Sequence, residues 1–558
     1  MAPLVKSRIA AAFVGAASFL VYVLTAPQTI YLKDNAEYIT AGKILGIPHP
    51  PGYPVFVLLA KLFSFWPFGS LPFRINLLGA VSAAAGLVFF YLILRHLTKW
   101  EWFSACAALL LGFSPIFWSQ SNQAEVYPLH FLVLAAAMWC VLSEKHIFWT
   151  AALCGLGLAV HPMFVLFLPI FIWALWQRNI RNARKWLPVA LIFVSGLLFY
   201  LYLPVASSFH PALDWGQTSR GIAQTLSHIL RRSYDDYGGA FALMDKAKAL
   251  GDFAGNLWTQ FSWLLIIAAY GLWRLGRKRN IAAPLSAGIF VLNAFGIIFL
   301  RSMPYSLYSA EFFKVYYLPA YAMVVLWMAV GVCAGLEKFP KTALAATAIL
   351  AVSFFFAGWP AANLRHFTFV EDYAGDILTG LPPRAVLLFD AAGPSRDTLV
   401  FAFLYEQAAL HLRPDVTVVS YPDIFPSPEA AELNKILAGK DDGANRRALA
   451  SYAAFVPRFS GRPIYATFLS TSPEIGLASA RTEISDSDFA LLSNNFFGRD
   501  VLADFEYRQA GMALAACQKR ASEQAYLSAL ALDDDVDGAD AQGFRSWRAI
   551  MQKSCGSY

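Results

Sequence analysis

The chain has 558 residues, of which 58% are hydrophobic and only 15% are charged, and its mean hydropathy is +0.49. Soluble globular domains carry about 25% charged residues, so the composition excludes an ordinary soluble enzyme and predicts a polytopic membrane protein. The formal net charge is +7, but the basic residues cluster in short loops between apolar segments. That distribution indicates membrane topology and not nucleic-acid binding.

Apolar segments long enough to cross a membrane recur along the first part of the chain. A spanning helix needs about 20 predominantly apolar residues. The candidates are 9–30, 74–94, 102–118, 128–143, 147–160, 162–177, 186–204, 258–273, 282–300, 314–335 and 343–360. Segment 53–68 is also apolar, but it is short and follows a proline-rich loop, so a re-entrant or interfacial helix is predicted there. The sequence thus predicts about eleven spans.

Lysine and arginine residues orient these spans. Cytoplasmic loops carry an excess of both, and nearly every basic cluster, beginning with Lys6 and Arg8, falls in alternate loops on one side. The N-terminus is therefore predicted to be cytoplasmic, with its first apolar run kept as an uncleaved span. An odd number of spans then places the C-terminal part outside. The chain contains no Asn-x-Ser/Thr sequon, which favours a bacterial inner membrane with a periplasmic C-terminal domain.

The composition changes after residue 360, where charged residues and loop prolines appear. We therefore predict a polytopic domain at 1–360 and a soluble extracytoplasmic domain at 361–558. In the second, 384–390 has the pattern of a buried strand, 397–411 that of a helix and 416–420 that of the next strand. These three segments predict one β-α-β unit.

This unit belongs to an α/β part predicted at about 380–470, and a helical part follows at about 486–552. The alanine-rich amphipathic period of 505–531 suggests a helical-repeat-like module. Cys517 and Cys555 lie in this part, and their pairing as a disulfide is left open.

Two carboxylates, Asp34 and Glu37, follow the first apolar segment. Their spacing lets them share one face of a helix near a membrane surface, where an ionisable residue is a functional candidate. The run 47–54 behind them contains His49 and Tyr53, and its prolines prevent regular helix because they lack N–H donors and restrict the residues before them. Asp34 and Glu37 are candidate bases for an acceptor hydroxyl. The alternative is two ordinary acids in a solvated loop.

Two further polar features lie on the same predicted side. Segment 120–127 is rich in amides and hydroxyls, contains Glu125 as its only charge and ends at Tyr127. It is interpreted either as a patch that binds sugar hydroxyls or positions the acceptor, or as a solvated turn. His161 lies between two apolar segments, where it is either an interfacial residue or a contact for an anionic headgroup.

A long outer loop carries Asp214 and Trp215, followed by Arg231 and Arg232. Paired arginines near a membrane surface suit a phosphate or pyrophosphate, because guanidinium binds phosphate through two parallel hydrogen bonds. The alternative is general attraction to anionic lipids. Segment 301–314, with polar residues at helical spacing, is interpreted as a structural interface.

Taken together, these pieces resemble a family of polytopic membrane proteins defined by a domain of unknown function. The motifs that carry the resemblance, in chain order, are Asp34-x-x-Glu37, 45–54, 117–120, 124–127, 155–157 with His161, 202–204, 214–216 and 412–416. The family is related to the transmembrane O-mannosyltransferase of the endoplasmic reticulum that modifies receptor ectodomains.

The resemblance implies a multi-pass α-helical fold of the GT-C glycosyltransferase type, with a polyprenyl-phosphate-linked sugar such as mannose or a similar hexose as donor. It also implies a catalytic carboxylate in the first outer loop, which makes Asp34 the leading base and Glu37 the second. The candidates for donor or substrate binding are His49, Tyr53, Glu125, Tyr127, His161, Asp214, Trp215, Arg231 and Arg232. The expected partners are this donor, a protein or glycan acceptor and membrane lipids, without nucleic acid.

The mechanism expected from this resemblance is an inverting transfer to an extracytoplasmic acceptor, a protein Ser/Thr hydroxyl in the leading hypothesis. Alternatives are a glycan- or lipid-modifying sugar transferase, a transporter or flippase, and a sensory membrane protein. A transporter predicts charges near the membrane midplane and repeated halves, whereas the charges here collect at one surface. No cofactor is implied: the sequence has no cluster with metal-ligand spacing, and a divalent metal is left open.

Overall fold

The computed structural model describes residues 2–144, 147–178, 183–232, 243–300, 305–390, 396–421, 461–467, 475–478, 480, 482–515 and 518–532. Cys517, Cys555 and the end of the predicted helical part lie outside these residues. The helices of the membrane part are α1 (Ala2–Thr25), α2 (Asn35–Ile44), α3 (Pro54–Ser64), α4 (Leu71–Thr98), α5 (Glu101–Gly112), α6 (Pro115–Ser121), α7 (Val126–Ser143), α8 (Ile147–Val160), α9 (Leu168–Gln177), α10 (Ala183–Leu197), α11 (Tyr202–Ser207), α12 (Ile222–Ile229), α13 (Leu243–Phe261), α14 (Leu264–Arg277), α15 (Ala282–Leu300), α16 (Leu307–Lys314), α17 (Leu318–Gly335) and α18 (Pro340–Ala362).

The described part of the chain has seven helical stretches that are long and apolar enough to cross a membrane. Helices α5 and α6, bent by 75°, make up to eight if they are taken as one span. Shorter apolar helices occur at Pro54–Ser64, Phe148–Val160 and Pro162–Gln177. The predicted multi-pass helical membrane protein is confirmed, and the count of about eleven spans stays a prediction.

Burial divides the spans into an inner and an outer set. In α4, 72% of the most apolar 18-residue segment is buried, and the share is 78% in both α7 and the α16–α17 stretch. The corresponding share is only 28% in α1 and 22% in α18. Apolar helices that protein surrounds form the core, and those with exposed apolar faces are the ones that lipid would cover. Helices α14 and α17 approach closely at Gly271. A Cβ atom added there would lie 1.8 Å from the carbonyl oxygen of Trp327, so only glycine allows this approach. Small residues at such crossings are typical of membrane helix packing.

The C-terminal part contains a small parallel sheet with helices around it. Its elements are α19 (Phe369–Gly380), β1 (Val386–Asp390), α20 (Arg396–Leu404), β2 (Thr417–Tyr421), β3 (Ile464–Ala466), β4 (Ile475–Leu477), α21 (Asp486–Ser493), α22 (Phe496–Ala515) and α23 (Lys519–Leu532). The strand order is β2-β1-β3-β4, with every described pair parallel. Strand β1, helix α20 and strand β2 form a β-α-β unit at the predicted positions. Parallel strands need a long crossover connection, and α20 lies in the one that joins β1 to β2.

The C-terminal part packs directly against the loop that follows α1. The backbone N–H of Leu364 donates to the carbonyl of Thr25 at 2.9 Å, and that of Lys33 donates to the Thr398 hydroxyl at 2.8 Å. The carboxylate of Glu371 accepts from the backbone N–H of Ile30 at 3.1 Å. The C-terminal part therefore holds the loop that follows α1 in place. The predicted domain boundary at 360 stays a prediction.

Candidate active site

Asp34 lies at the start of α2 as its N-cap residue, yet its side chain makes no capping hydrogen bond. An aspartate at this position ordinarily accepts a hydrogen bond from the first turn. The neighbouring side chain of Asn35 holds the loop instead: its Oδ1 accepts from the backbone N–H of Tyr31 at 2.9 Å, and its Nδ2 donates to Asn76 at 3.2 Å. The loop is thus fixed without using the Asp34 carboxylate, whose side chain is 25% exposed.

Glu37, one turn further along α2, is completely buried and binds His49 with both carboxylate oxygens. Its Oε1 accepts from the backbone N–H of His49 at 2.7 Å, and its Oε2 lies 2.5 Å from the His49 Nδ1 atom. These two contacts hold the His49 ring in place and favour its protonated form. The sequence makes Glu37 the second candidate base, and in the structure both of its carboxylate oxygens contact His49.

The other ring nitrogen of His49 faces Asp34 and Tyr53. The Nε2 atom lies 3.9 Å from the Asp34 Oδ2 atom and 3.1 Å from the Tyr53 hydroxyl oxygen. Although burial alone lowers it, the carboxylates of Glu37 and Asp34 raise the pKa of His49 to about 9. The ring is therefore an imidazolium at neutral pH. We call Asp34, Glu37 and His49 the carboxylate–histidine centre.

Burial raises the pKa of Asp34, although the nearby charges of His49 and Arg231 act to lower it. A carboxylate with a raised pKa is a stronger base. The carboxylate–histidine centre also offers one ligand atom from each residue, all within 4.8 Å of one another. That spacing suits a shared cation, but a cation would have to compete with the hydrogen bonds between Glu37 and His49.

The bent loop behind this centre is closed by a strained turn. Gly52 has φ +88° and Tyr53 has φ +41°, both in the left-handed region. A side chain at Gly52 would have its Cβ 2.5 Å from the Leu203 Cδ2 atom and 3.1 Å from the His228 Nε2 atom. Only glycine fits there. The turn at Gly52 reverses the chain, so that the Tyr53 hydroxyl reaches the His49 ring.

The loop with Asp214 and Trp215 lies against the same turn. The backbone of Ile47 pairs with it, since Ile47 N–H donates to Leu213 at 2.8 Å and Trp215 N–H donates to Ile47 at 3.1 Å. The Asp214 carboxylate accepts from the Ser207 hydroxyl at 2.8 Å. Asp214 therefore stabilises its own loop, while the Trp215 ring lies 6.3 Å from the ring of His49.

The two arginines behind this loop differ in position. Arg231 is half-buried. Its charge acts to lower the pKa values of Asp34 and His49, against the stronger effects that raise them. Arg232 is exposed. Of the predicted pair, Arg231 is thus the one whose charge acts on the carboxylate–histidine centre.

The Asp34 side chain opens onto a cavity of about 250 Å³, which we call the polar cavity. Its lining includes Tyr31, Lys33, Gln120, Gln123, Glu125, Tyr127, Glu311, Phe312, Lys314, Asn494, Asn495, Phe496 and Phe497. Burial lowers the pKa of Lys33 to about 8, against the carboxylates of Glu125 and Asp34, which act to raise it. Burial raises the pKa of Glu125 to about 8. The cavity thus joins carboxyl, ammonium and carboxamide groups around one candidate base.

The segment 120–127 is buried and is not a solvated turn. Gln120 is 9% exposed, Gln123 6% and Glu125 6%. The backbone N–H of Ala124 donates to the side chain of Asn76 in α4 at 2.7 Å, and Asn76 also accepts from Asn35 at the start of α2. The functional interpretation of the segment therefore gains support from its position at the cavity.

Tyr127 and His161 belong to an aromatic cluster beside the cavity. The His161 ring lies 5.7 Å from both Tyr127 and Tyr53, and 5.3 Å from His130. His161 is 1% exposed, and its Nδ1 accepts from the backbone N–H of Met163. This burial differs from the headgroup contact considered for the residue, because its ring packs against protein side chains.

Several cavity residues escaped the sequence analysis. Lys33 adjoins Asp34, so its position was a usable signal. Glu311 and Lys314, paired at 2.9 Å, were assigned to an interface although they line the cavity. The segment Asn494–Phe497 carries no motif, and only the fold brings it to Asp34.

A part of the chain that contains Asp34, Glu37 and His49 matches a known family. Residues 34–184 match the family model described as the Protein O-mannosyl-transferase TMEM260 N-terminal domain. The chain is 28% identical over 439 residues to Protein O-mannosyl-transferase TMEM260 of Mus musculus, and 25% identical over 333 residues to its counterpart in Dictyostelium discoideum. The resemblance to this family is confirmed. These alignments cover 72% and 54% of the chain, which spans 60% and 39% of the length of the two relatives.

Two solved structures resemble the fold at a lower level. The crystal structure of ArnT from Cupriavidus metallidurans in the apo state has a TM-score of 0.46 and 13% identity, covering 77% of this chain and 94% of that one. The crystal structure of the same protein bound to undecaprenyl phosphate has a TM-score of 0.43 and 14% identity, covering 80% and 88%.

Proposed function

We propose that the protein is a membrane glycosyltransferase of the GT-C type that moves mannose or a similar hexose from a polyprenyl-phosphate donor to a hydroxyl group. The acceptor in this proposal is a protein serine or threonine on the extracytoplasmic side. The observation that carries the proposal is the position of the Asp34 carboxylate. It makes no capping hydrogen bond at the start of α2 and lines the polar cavity. One of its oxygens lies 3.9 Å from the Nε2 atom of His49, whose ring Glu37 holds. The names of the TMEM260 relatives support the same activity.

In the proposed reaction, Asp34 is the general base. Its carboxylate takes the proton from the acceptor hydroxyl, and the hydroxyl oxygen attacks the anomeric carbon of the sugar. The bond between that carbon and the phosphate oxygen breaks, and its electron pair leaves with the polyprenyl phosphate. Attack opposite the leaving group inverts the anomeric carbon. The His49 imidazolium keeps the carboxylate oriented.

The leaving phosphate needs positive charge, because negative charge develops on its oxygen as the bond breaks. Arg231 is the first candidate, since its charge acts on Asp34 and His49. Arg232, which is exposed, stays a second candidate. The aromatic residues Tyr53 and Trp215 near His49 are candidates for contact with the sugar ring.

Helix α12 supports sideways entry of the donor from the membrane. Ile222, Leu226 and Leu230 recur every four residues and are 81%, 50% and 60% exposed, so they form one apolar stripe. On the buried side of the same helix, His228 packs against the turn at Gly52. An amphipathic helix of this kind suits the membrane interface, and it ends at Ile229, two residues before Arg231. A polyprenyl tail in the lipid would thus reach the phosphate-binding candidate directly.

We place the site on the extracytoplasmic face, with a cytoplasmic N-terminus, on the basis of the lysine and arginine distribution. The bacterial inner membrane remains the proposed location. A transfer to a glycan or lipid hydroxyl would use the same base and the same donor, so the acceptor is decided by experiment.

The proposal is tested with the purified protein in lipid nanodiscs and radiolabelled mannosyl-phosphate polyprenol, wild type beside Asp34→Asn. Release of polyprenyl phosphate by the wild type alone, with the label recovered on a serine/threonine peptide, is the expected result. Label recovered on a glycan or lipid instead would change the acceptor class. Equal turnover by both proteins would contradict the assignment of the base, and lipid movement across the bilayer without donor turnover would point to a flippase.

A further inference from the structure

The polar cavity has a second wall that the membrane part does not supply. Asn494 and Asn495, which join α21 to α22, and Phe496 and Phe497, which begin α22, line it together with Asp34. We call these four residues the C-terminal wall. The cavity is therefore completed only when the C-terminal part is docked on the first outer loop.

The C-terminal wall is a built turn and not a chance contact. The Asn495 Oδ1 atom accepts from the backbone N–H groups of Phe497 and Gly498, at 3.0 and 3.2 Å. The Lys33 ammonium lies 3.4 Å from the centroid of the Phe497 ring, within the range of a cation–π interaction. The Phe497 ring also meets Tyr308 edge-on at 5.6 Å. These contacts fix the wall relative to the residue next to Asp34.

The chemistry of the cavity points to a polypeptide. Four carboxamide side chains line it, two from each wall: Gln120, Gln123, Asn494 and Asn495. A carboxamide both donates and accepts. The Asn494 Nδ2 donates to the Ala490 carbonyl at 2.7 Å and the Gln123 Nε2 to the Ser119 carbonyl at 2.6 Å, so these two side chains offer their oxygens to the N–H groups of a peptide. The Oε1 atom of Gln123 is buried without a hydrogen-bond partner among the described residues. A buried acceptor of this kind calls for a donor from a ligand or from water.

We propose that the C-terminal wall, with Gln120 and Gln123 opposite, is the acceptor subsite and holds a short extended stretch of polypeptide whose hydroxyl reaches Asp34. This inference rests on the proposed function and deepens it. Small-molecule pockets have volumes of about 300 to 1,000 Å³, so a cavity of about 250 Å³ admits one hydroxyl side chain with its flanking backbone and not a folded domain. Phe312 and Phe496 offer apolar surface to a neighbouring side chain.

The test separates peptide binding from donor binding. Asn494→Ala removes an exposed carboxamide, and Phe496→Ala removes a half-buried ring. We expect each variant to raise the KM for a serine/threonine peptide at least tenfold, while the Kd for the mannosyl-phosphate polyprenol stays within threefold of the wild type. Phe489→Ala is the matched control, because this ring lies in α21, is 44% exposed and does not line the cavity.

Binding of a fluorescent serine/threonine peptide to the protein in nanodiscs distinguishes the failure of this inference from the failure of the proposed function. If the wild type turns over donor and both variants keep the wild-type peptide KM and affinity, the subsite is wrong and the function stands. If KM changes for a glycan acceptor only, the wall does not bind polypeptide. If no donor is turned over but the peptide binds tenfold more tightly to the wild type than to Asn494→Ala, the subsite stands without the transferase. If there is neither turnover nor binding, both are wrong.

Discussion

Replacing Glu37 by glutamine keeps the shape of the side chain and removes the charge that holds His49. The pKa of His49 is raised from 6.5 to about 9, which corresponds to about 3 kcal/mol of favourable interaction with the charged ring. Solvent screens little of this energy, since the Glu37 side chain is 0% exposed and that of His49 is 13% exposed. In Glu37→Gln, burial should lower the pKa of His49 towards or below its ordinary value.

The consequence for stability has a definite sign. A histidine whose pKa is raised by folding contributes stability that is complete below pH 6.5 and is lost as the pH rises through about 9. Thermal unfolding of Glu37→Gln should therefore occur well below that of the wild type at pH 6, and the gap should shrink towards pH 9. We also expect donor turnover at pH 8 to fall by about tenfold to hundredfold, less than the loss of the base itself.

Glu101→Gln is the matched control, because this carboxylate pairs with Arg95 at 2.6 Å away from the cavity and is 20% exposed. Its loss removes hydrogen bonds from Arg95 and from the Tyr91 hydroxyl, and the resulting gap to the wild type should be the same at pH 6 and at pH 9, since arginine does not titrate there. If Glu37→Gln unfolds at the wild-type temperature across this range and keeps wild-type turnover at pH 8, the reasoning about the Glu37–His49 pair is refuted.

Three further outcomes follow from the structure. Gly52→Ala should abolish most activity, because the φ angle of Gly52 is +88° and an added Cβ would clash with Leu203. Gly461→Ala is the control: its φ angle is +75°, but open space surrounds it, so activity should be kept. Equal losses of activity in the two variants would contradict this reasoning. Burial raises the pKa of Glu125 from 4.5 to about 8, so it destabilises the fold increasingly over that range, and Glu125→Gln should unfold at a higher temperature than the wild type at pH 8 but not at pH 4.5. Donor turnover should survive EDTA, because a cation must break hydrogen bonds within the carboxylate–histidine centre; a loss restored by Mn²⁺ would show that a metal is required.

The sequence identified the loop that carries the site because its chemistry is local. Asp34 and Glu37 are three residues apart, and the run 47–54 excludes helix by its prolines alone. The roles within the loop were not readable. Whether Glu37 faces the cavity or His49 depends on the path of the chain between them, which the strained turn at Gly52 sets.

The spans illustrate a different limit. Hydropathy identifies long helices such as α4 and α7, where about 20 apolar residues suffice to cross a membrane. It cannot separate a short span from an interfacial helix, and Pro54–Ser64, Phe148–Val160 and Pro162–Gln177 all fall in that range. An apolar helix has the same hydropathy pattern whether protein or lipid covers it. The number of spans therefore depends on how the helices pack, which hydropathy does not show.

The C-terminal wall lay beyond sequence reasoning altogether. The β-α-β unit was predictable from its strand and helix periods, and the structure has it at β1, α20 and β2. Asn494–Phe497 has no periodic or motif signal, and its meaning comes from docking against Lys33. Segment 120–127 is similar, since its polar residues predicted a solvated turn as readily as a patch that binds sugar hydroxyls or positions the acceptor.

The most direct test of the central claim is the turnover number and donor affinity of Asp34→Asn beside the wild type, measured with mannosyl-phosphate polyprenol in nanodiscs. If Asp34 is the base, turnover should fall by about 10²- to 10⁴-fold, while the donor Kd stays within threefold because asparagine keeps the shape of the side chain. Wild-type turnover in Asp34→Asn would contradict the account.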